Sequence, residues 1–221
     1  MTATSVFESE ILFRLTGLEI TCCIQDLSFG YGRSFLFNNL NLEISSGCIH
    51  LITGLNGSGK STLLRLLSTA IEPVKGSIRY QMGKQFMELE TMWQQIALIA
   101  PYQELPEEFT LNELISLQRR FSPSAGGTDA YQQVSEYFGI ASYGDRLLRD
   151  FSTGMKQKAR FVLAFGSGRP VWLLDEPGSN LDTRSVELLH AFLLEKCGSH
   201  LIIMASNDPA EISLGVRLLE L

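Results

Sequence analysis

The chain has 221 residues, of which 45% are hydrophobic and 19% charged, and its formal net charge is -6. This composition excludes global disorder, and the length suits one α/β domain or one domain that carries an inserted subdomain. The acidic balance argues against a nucleic-acid-binding protein, and no apolar run reaches the roughly 18 residues that span a bilayer. The N-terminus carries acidic residues early and lacks the basic lead of a secretion signal, so we expect a cytosolic location.

The first half of the chain predicts strands, then a glycine-rich loop, then a helix. Strands are predicted at residues 18–31, 40–44 and 48–53. The last of these, CIHLIT, is a short apolar run typical of a buried parallel strand that feeds a tight turn. Residues 60–70 place apolar side chains at helical spacing, and Pro73 marks the end of that helix. Residues 1–17 precede the first clear strand and are not assigned.

The second half predicts an alternation of buried strands and helices. Further buried strands are predicted at residues 96–100, 171–175 and 200–206. Such an alternation implies a parallel sheet covered on both faces. Between Pro101 and Gly168 the pattern changes, and helices are predicted at residues 110–121, 128–138 and 153–166. We therefore expect a helical subdomain at about residues 104–167, inserted into a core made of residues 1–103 and 168–221.

A phosphate-binding loop is the most specific motif. The segment GLNGSGKST fits the pattern G-x-x-x-x-G-K-[ST] between a predicted strand and a predicted helix, which is the context that the motif requires. Glycines let successive backbone N–H groups point at phosphate oxygens, and the following helix presents its positive N-terminal end to the same anion. Lys60 would reach the β- and γ-phosphates, and the Ser61 hydroxyl would bind Mg²⁺. The predicted binding residues are Gly54, Leu55, Asn56, Gly57, Ser58, Gly59, Lys60, Ser61 and Thr62.

A second candidate site lies where the apolar run VWLLD ends in two acids. Asp175 falls at the carboxyl end of a buried strand, where parallel sheets place their ligands, so it is a candidate to hold Mg²⁺ through water. Glu176 follows it and is placed to orient or deprotonate a water for attack on the γ-phosphate. An ordinary exit from a strand would also explain two acids, but the phosphate loop upstream favours the catalytic interpretation.

These residues together resemble the ATP-binding cassette (ABC) ATPases over most of the chain. The phosphate loop looks like their Walker A motif and VWLLDEP like their Walker B motif. Residues 151–157 (FSTGMKQ) resemble the signature motif, and residues 179–182 (SNLD) are similar to the D-loop. Residues 73–78 look like the turn that follows the Walker A helix. Tyr31 occupies the position of an aromatic residue that stacks on adenine.

The resemblance implies a fold, two ligands and partners. The fold is a P-loop NTPase of ABC type, an α/β protein with a parallel-sheet core, an N-terminal antiparallel β subdomain and an inserted helical subdomain. Two cassettes, most simply two copies of this chain, would close head to tail around two ATP molecules with Mg²⁺ and power a separate transmembrane permease from the cytoplasmic face of the membrane. The signature residues Ser152, Thr153 and Gly154 would contact the nucleotide of the partner, and Asp182 would belong to the same interface. No nucleic-acid partner is expected.

The chain departs from the family pattern at three positions. Thr153 replaces a glycine-type residue of the signature. The loop that follows the strand predicted at residues 96–100 reads Ala-Pro-Tyr-Gln-Glu, in which the family glutamine falls nearer Pro101 than Gln103. Gln103 is our candidate sensor of Mg²⁺ and water. Asn207 replaces the switch histidine and can still donate a neutral hydrogen bond to a γ-phosphate, so we expect hydrolysis to be slow but present.

Three functions remain open at this stage. The first is a transporter motor, and the STGMKQ form of the signature resembles exporter-type cassettes. The second is an ATP-gated clamp that acts outside transport, although such proteins usually carry two cassettes or long coiled-coil insertions. The third is a degenerate subunit that binds nucleotide as a regulator, which Asn207 and the altered glutamine loop favour and the retained Glu176 opposes.

Overall fold

The computed structural model describes residues 19–32, 34–87, 89–121 and 128–221, so residues 1–17 lie outside the described part of the chain. The strands are β1 (Ile20–Tyr31), β2 (Ser34–Ser45), β3 (Ile49–Thr53), β4 (Lys75–Met82), β5 (Gln85–Phe86), β6 (Ile96–Ile99), β7 (Val171–Asp175), β8 (Leu201–Ala205) and β9 (Val216–Glu220). The α-helices are α1 (Lys60–Leu67), α2 (Leu89–Met92), α3 (Leu111–Phe121), α4 (Thr128–Tyr137), α5 (Thr153–Phe165), α6 (Thr183–Lys196) and α7 (Pro209–Ile212).

An antiparallel sheet forms the N-terminal β subdomain that the family resemblance implied. Its strand order is β2-β1-β4-β5, and every pairing in it is antiparallel. Cys22 of β1 lies opposite Ile44 of β2 and Tyr80 of β4. The inward residues of these strands pack with α1 and one face of the second sheet into a shared apolar core.

The predicted turn at residues 73–78 is corrected in part, because β4 already begins at Lys75. The local sequence Lys-Gly-Ser has weak strand propensity, but Ile78 pairs with Ile24 of β1 and both side chains are buried. Pairing and burial of this kind override intrinsic strand preference. The sequence also did not predict β5, β9 or the short helices α2 and α7.

The second sheet is wholly parallel and has the strand order β6-β7-β8-β3-β9. All five residues of β7 and all five of β8 are buried, which explains why both strands are continuous apolar runs. Since β7, β8 and β3 are neighbours, their carboxyl ends meet at one edge of the sheet. The phosphate loop, Asp175 and Asn207 each follow one of these ends, so the topology gathers them at the place where such sheets bind ligands.

The segment between β6 and β7 is largely helical among its described residues, as predicted. Helix α5 packs against α4 and β6, and aromatic side chains join these helices to the parallel sheet. Phe138, Phe161 and Phe165 contact one another with ring centroids 5.0 to 6.3 Å apart, and Phe165 lies 4.5 Å from Trp172 of β7. None of the described helices is long and apolar enough to span a membrane.

Candidate active site

The phosphate loop runs from the end of β3 to the start of α1 and is shaped by its own contacts. Gly59 precedes the helix with φ of 108°, a conformation that other residues rarely adopt, and a Cβ there would lie 2.7 Å from the side chain of Leu36. The buried Lys60 turns back along the loop, and its Nζ donates to the carbonyl oxygens of Gly54 at 2.7 Å and Leu55 at 3.2 Å. The Ser58 hydroxyl is buried without a hydrogen-bond partner among the described residues, as expected of a group that serves a ligand.

A cavity of about 450 Å³ opens over this loop. Three segments that are far apart in sequence line it: the β1–β2 region, the phosphate loop and the end of β7. The lining residues are Tyr31, Leu36, Asn56, Gly57, Gly59, Lys60, Ser61, Thr62 and Glu176. Tyr31 is 60% exposed, and its ring lies at right angles to that of Phe29 with ring centroids 5.2 Å apart. Leu36 was not predicted, because an apolar strand residue carries no signal of its own.

Asp175 is 4% exposed and lies at the carboxyl end of β7. Burial raises the pKa of this carboxyl, while a hydrogen bond from the Ser61 hydroxyl and the charge of Lys60 act in the opposite direction. A hydroxyl beside a carboxylate is an oxygen donor set suited to Mg²⁺. No cluster of three or more His, Cys, Asp or Glu side chains that could hold a metal occurs in the described part of the chain.

Glu176 joins the first cavity to a second one of about 360 Å³. The second cavity is lined by Asn56, Glu176, Gly178, Ser179, Ser206, Asn207, Asp208 and Glu211. Asn207 follows β8, and its Nδ2 donates to Oδ1 of Asn56 at 2.8 Å. Asn207 therefore contacts the phosphate loop through Asn56 and shares the lining of the second cavity with Glu176.

The signature residues lie apart from these two cavities. Ser152 caps α5 by accepting from the Met155 N–H at 3.2 Å, and both Ser152 and Thr153 are exposed. Gly154 lies near the D-loop, since a Cβ on it would be 3.2 Å from the carbonyl oxygen of Asn180. Asp182 caps α6, and the hydrogen bond that it accepts from the Ser185 N–H lowers the pKa of its carboxyl.

Gln103 is not brought to the nucleotide cavity. Its Oε1 accepts from the Ala100 N–H at 3.1 Å, so the described side chain is folded against its own turn. The adjacent Tyr102 is half exposed, and burial together with the charge of Asp175 raises the pKa of its hydroxyl.

The strand–glycine loop–helix unit at the carboxyl edge of a parallel sheet, with an aspartate on a neighbouring strand, defines a P-loop NTPase. The family model described as ABC transporter matches residues 37–179, and the chain belongs to this family. It is the ATP-binding and ATP-hydrolysing subunit of an ABC transporter.

Relatives and solved structures agree with this assignment. The chain is 28% identical over 172 residues to the cytochrome c biogenesis ATP-binding export protein of Haemophilus influenzae. The aligned region covers 78% of this chain and 81% of the relative. It is 30% identical over 192 residues to the petrobactin import ATP-binding protein of Bacillus anthracis, covering 82% of this chain and 70% of the relative. A solved structure described as the ATP-binding subunit of an ABC transporter superposes with a TM-score of 0.77 and 26% identity, covering 88% of this chain and 82% of that one.

Proposed function

We propose that the chain is the motor cassette of a transporter whose membrane-spanning part is a separate permease, and that two copies of the chain hydrolyse ATP between them. The observation that carries this proposal is the position of Glu176, which lines both the cavity over the phosphate loop and the cavity that contains Asn207. A carboxylate in this position can act on a water beside the γ-phosphate of an ATP bound by the loop.

The phosphate end of ATP is bound by backbone and by two side chains. The N–H groups of the loop and of the first turn of α1 point at the phosphates, and Lys60 exchanges its two carbonyl contacts for phosphate oxygens. Ser61, and Asp175 through water, would hold Mg²⁺, which would supply positive charge to the phosphate end of ATP. Tyr31 stacks on the adenine ring.

Hydrolysis proceeds through Glu176 as general base. Its carboxylate accepts a proton from the attacking water, while Asn207 donates a neutral hydrogen bond to the γ-phosphate. One of the two N–H groups on Nδ2 of Asn207 donates to Asn56, which leaves the second for the γ-phosphate but restrains the direction in which the side chain can point. We therefore propose that turnover is slow, with Asn207 as the limiting feature. Gln103 stays a candidate sensor that would first have to leave Ala100.

The exposed signature residues support the two-copy arrangement. Ser152 and Thr153 do not line the cavity over the phosphate loop of their own chain, and they stand at the N-terminus of a 13-residue helix. Such a terminus attracts anions. A partner cassette turned head to tail would present its ATP to Ser152–Gly154, with Asp182 at the same interface.

A groove on the helical region is the proposed docking surface of the permease. It has a volume of about 470 Å³ and includes the exposed apolar residues Phe109 and Leu117. Its lining residues are Phe109, Thr110, Asn112, Glu113, Ser116, Leu117, Arg120 and Asp145. Docking there would place the chain on the cytoplasmic face of the membrane. The named relatives serve export and import, so the proposal concerns the coupling of ATP to transport rather than its direction.

The experiment traps the closed state. The full chain carrying Glu176→Gln is mixed with ATP and Mg²⁺, and its mass in solution is measured by light scattering after gel filtration. We expect a dimer with bound ATP, because nucleotide still closes the interface while hydrolysis, which would reopen it, is blocked. Lys60→Ala in the same background should stay monomeric. A Glu176→Gln chain that binds ATP yet never dimerises would contradict the proposal and favour a regulatory subunit.

A further inference from the structure

The peptide unit that joins Pro177 to Gly178, directly after Glu176, is held from both sides. The carbonyl oxygen of Pro177 accepts from Nε2 of Gln157 at 2.8 Å, and the N–H of Gly178 donates to Oε1 of Glu211 at 2.7 Å. These two groups belong to the same peptide unit. Gln157 lies on α5 and Glu211 on α7, and each side chain is only 3% exposed. Two helices that are distant in sequence therefore fix the orientation of one peptide.

The backbone of Glu176 needs such support. Its φ is 45°, in the left-handed region that residues with a side chain rarely occupy, and a conformation of this kind persists only where surrounding contacts hold it. The Glu176 N–H donates to the Ala205 carbonyl at 2.9 Å, which fixes the incoming side. After Glu176, the ring of Pro177 fixes the φ angle of that proline. The backbone therefore has few free torsions between Glu176 and the peptide that the two side chains hold.

We propose that Gln157 and Glu211 are positioning residues for ATP hydrolysis, which hold the Pro177–Gly178 peptide and thereby aim the Glu176 carboxylate at the attacking water. This inference rests on the proposed role of Glu176 as general base. Neither residue touches the reacting atoms. Their effect is on the fraction of time that Glu176 spends in the productive orientation, and a small misplacement of a catalytic group has a large effect on rate.

The chemistry of Glu211 supports a positioning role. Burial raises the pKa of this carboxyl, and the hydrogen bonds from Ser206 and Gly178 act in the opposite direction. A buried carboxyl lowers stability unless its oxygen atoms accept hydrogen bonds. Here Oε1 of Glu211 accepts from the Gly178 N–H and so holds the peptide beside Glu176. The close approach depends on Gly178, because a Cβ on that residue would lie 2.5 Å from Oε1 of Glu211.

The other side of the peptide is connected to the loop after β6. Oε1 of Gln157 accepts from Nη1 of Arg160 at 2.7 Å, and Nε of Arg160 donates to the Gln103 carbonyl at 2.9 Å. The candidate sensor loop is thus joined to the peptide beside Glu176 through two side chains of α5. A shift of α5 would be transmitted to the base by this route.

The test compares conservative and disruptive variants in the full chain. Steady-state phosphate release is measured against ATP concentration for Glu211→Gln, Glu211→Leu and Gln157→Leu. Glutamine keeps an acceptor oxygen for the Gly178 N–H, whereas leucine has a similar size and no acceptor. We expect Glu211→Leu and Gln157→Leu each to lower kcat by about tenfold, with KM for ATP changed by less than about twofold, since the phosphate loop is untouched. Glu211→Gln should retain most of the turnover.

Tyr80→Phe is the matched control for losing a buried side-chain bond away from the site. The Tyr80 hydroxyl is buried and donates to the Leu67 carbonyl at 2.8 Å, so the variant should lower the melting temperature and leave kcat unchanged. Equal losses of kcat in Tyr80→Phe and Glu211→Leu would overturn the inference. So would a Glu211→Gln variant that is as slow as Glu211→Leu, or a Glu211→Leu variant that turns over at the native rate.

Gly178→Ala reaches the same contact from the other side. The added Cβ displaces the Glu211 carboxylate and should lower kcat, but it should cause no further loss when Glu211 is already leucine. Independent losses from the two substitutions would contradict the inference. Glu176→Gln distinguishes a failure of the proposed function from a failure of the positioning roles alone. If it does not abolish hydrolysis, the proposed function fails; if it does while Glu211→Leu and Gln157→Leu are native-like, only the positioning roles fail.

Discussion

Glu176 and Asn207 follow the carboxyl ends of neighbouring strands and line the same cavity, yet they are held in opposite ways. Glu176 is followed by a peptide unit that two buried side chains grip. Asn207 is exposed, and the hydrogen bond recorded for its side chain goes to Asn56, which is itself exposed. The contrast indicates that the fold aims the proposed base in advance, whereas the proposed γ-phosphate contact depends on a hydrogen bond between two exposed side chains.

The largest expected effect on kcat comes from truncating each of these two side chains to alanine. Glu176→Ala should lower kcat by about 10²- to 10⁴-fold, the usual contribution of a general base. Asn207→Ala removes one neutral hydrogen bond, worth about 1 kcal/mol, and should lower kcat by only about fivefold. Phosphate release under saturating ATP measures both. Equal losses in the two variants would show that the fixed and adjustable residues contribute alike.

A smaller effect is expected from restoring the family's residue at the switch position. Asn207→His should raise ATP turnover by about three- to tenfold, because the longer side chain reaches the γ-phosphate and can carry a charge. Asn207→Gln is the control, since it adds length without an imidazole. If histidine gives no increase in turnover, Asn207 does not limit hydrolysis.

The smallest effect concerns the contribution of the buried Asp175 carboxyl to stability. Burial raises the pKa of Asp175 in the folded chain, so the folded state holds the proton more tightly than the unfolded one. Its contribution to the free energy of unfolding therefore falls as pH rises from the unfolded pKa through the folded pKa, and stays at its minimum above that. Without nucleotide, Asp175→Asn should melt higher than the native chain at neutral pH.

This difference in melting temperature should shrink as pH falls toward the unfolded pKa of aspartate, about 3.9. Each kcal/mol shifts the melting temperature of a chain this size by about 2–4 °C, which scanning calorimetry resolves. Glu187→Gln, at an exposed position, is the control for the loss of one carboxylate charge. A lower melting temperature for Asp175→Asn at neutral pH would mean that the ionised carboxyl stabilises the nucleotide-free fold.

The sequence predicted those parts of the site that a single local segment defines. The phosphate loop joins β3 directly to α1, and Asp175 ends a five-residue apolar strand, so motif and element coincide. Strand β4 was missed because its pairing with β1 outweighs the weak propensity of Lys75 and Gly76. The orientation of Gln103 depends on one hydrogen bond within its own turn, which residue spacing does not encode.

The long-range hydrogen bonds of Gln157 and Glu211 could not be predicted from the sequence for a different reason. Glu211 lies 33 residues from Gly178, in a four-residue helix that carries no amphipathic pattern. Gln157 lies 20 residues before Pro177 inside the signature helix. A glutamate or glutamine on a helix usually faces solvent, so neither residue signals its burial. Only the hydrogen bonds between these two side chains and the segment after β7 show that they meet at one peptide.

Helix α5 carries Ser152 at its N-terminal cap and Gln157 in its second turn. The same helix therefore carries the residue proposed to contact a partner's ATP and the residue that holds the peptide beside Glu176. In a closed pair, ATP bound by one subunit would contact α5 of the other subunit. A rigid-body shift of that helix would then move the proposed base, Glu176, of the second subunit. Such a linkage would make the two pockets cooperative, so that neither ATP is committed to hydrolysis before both are in place.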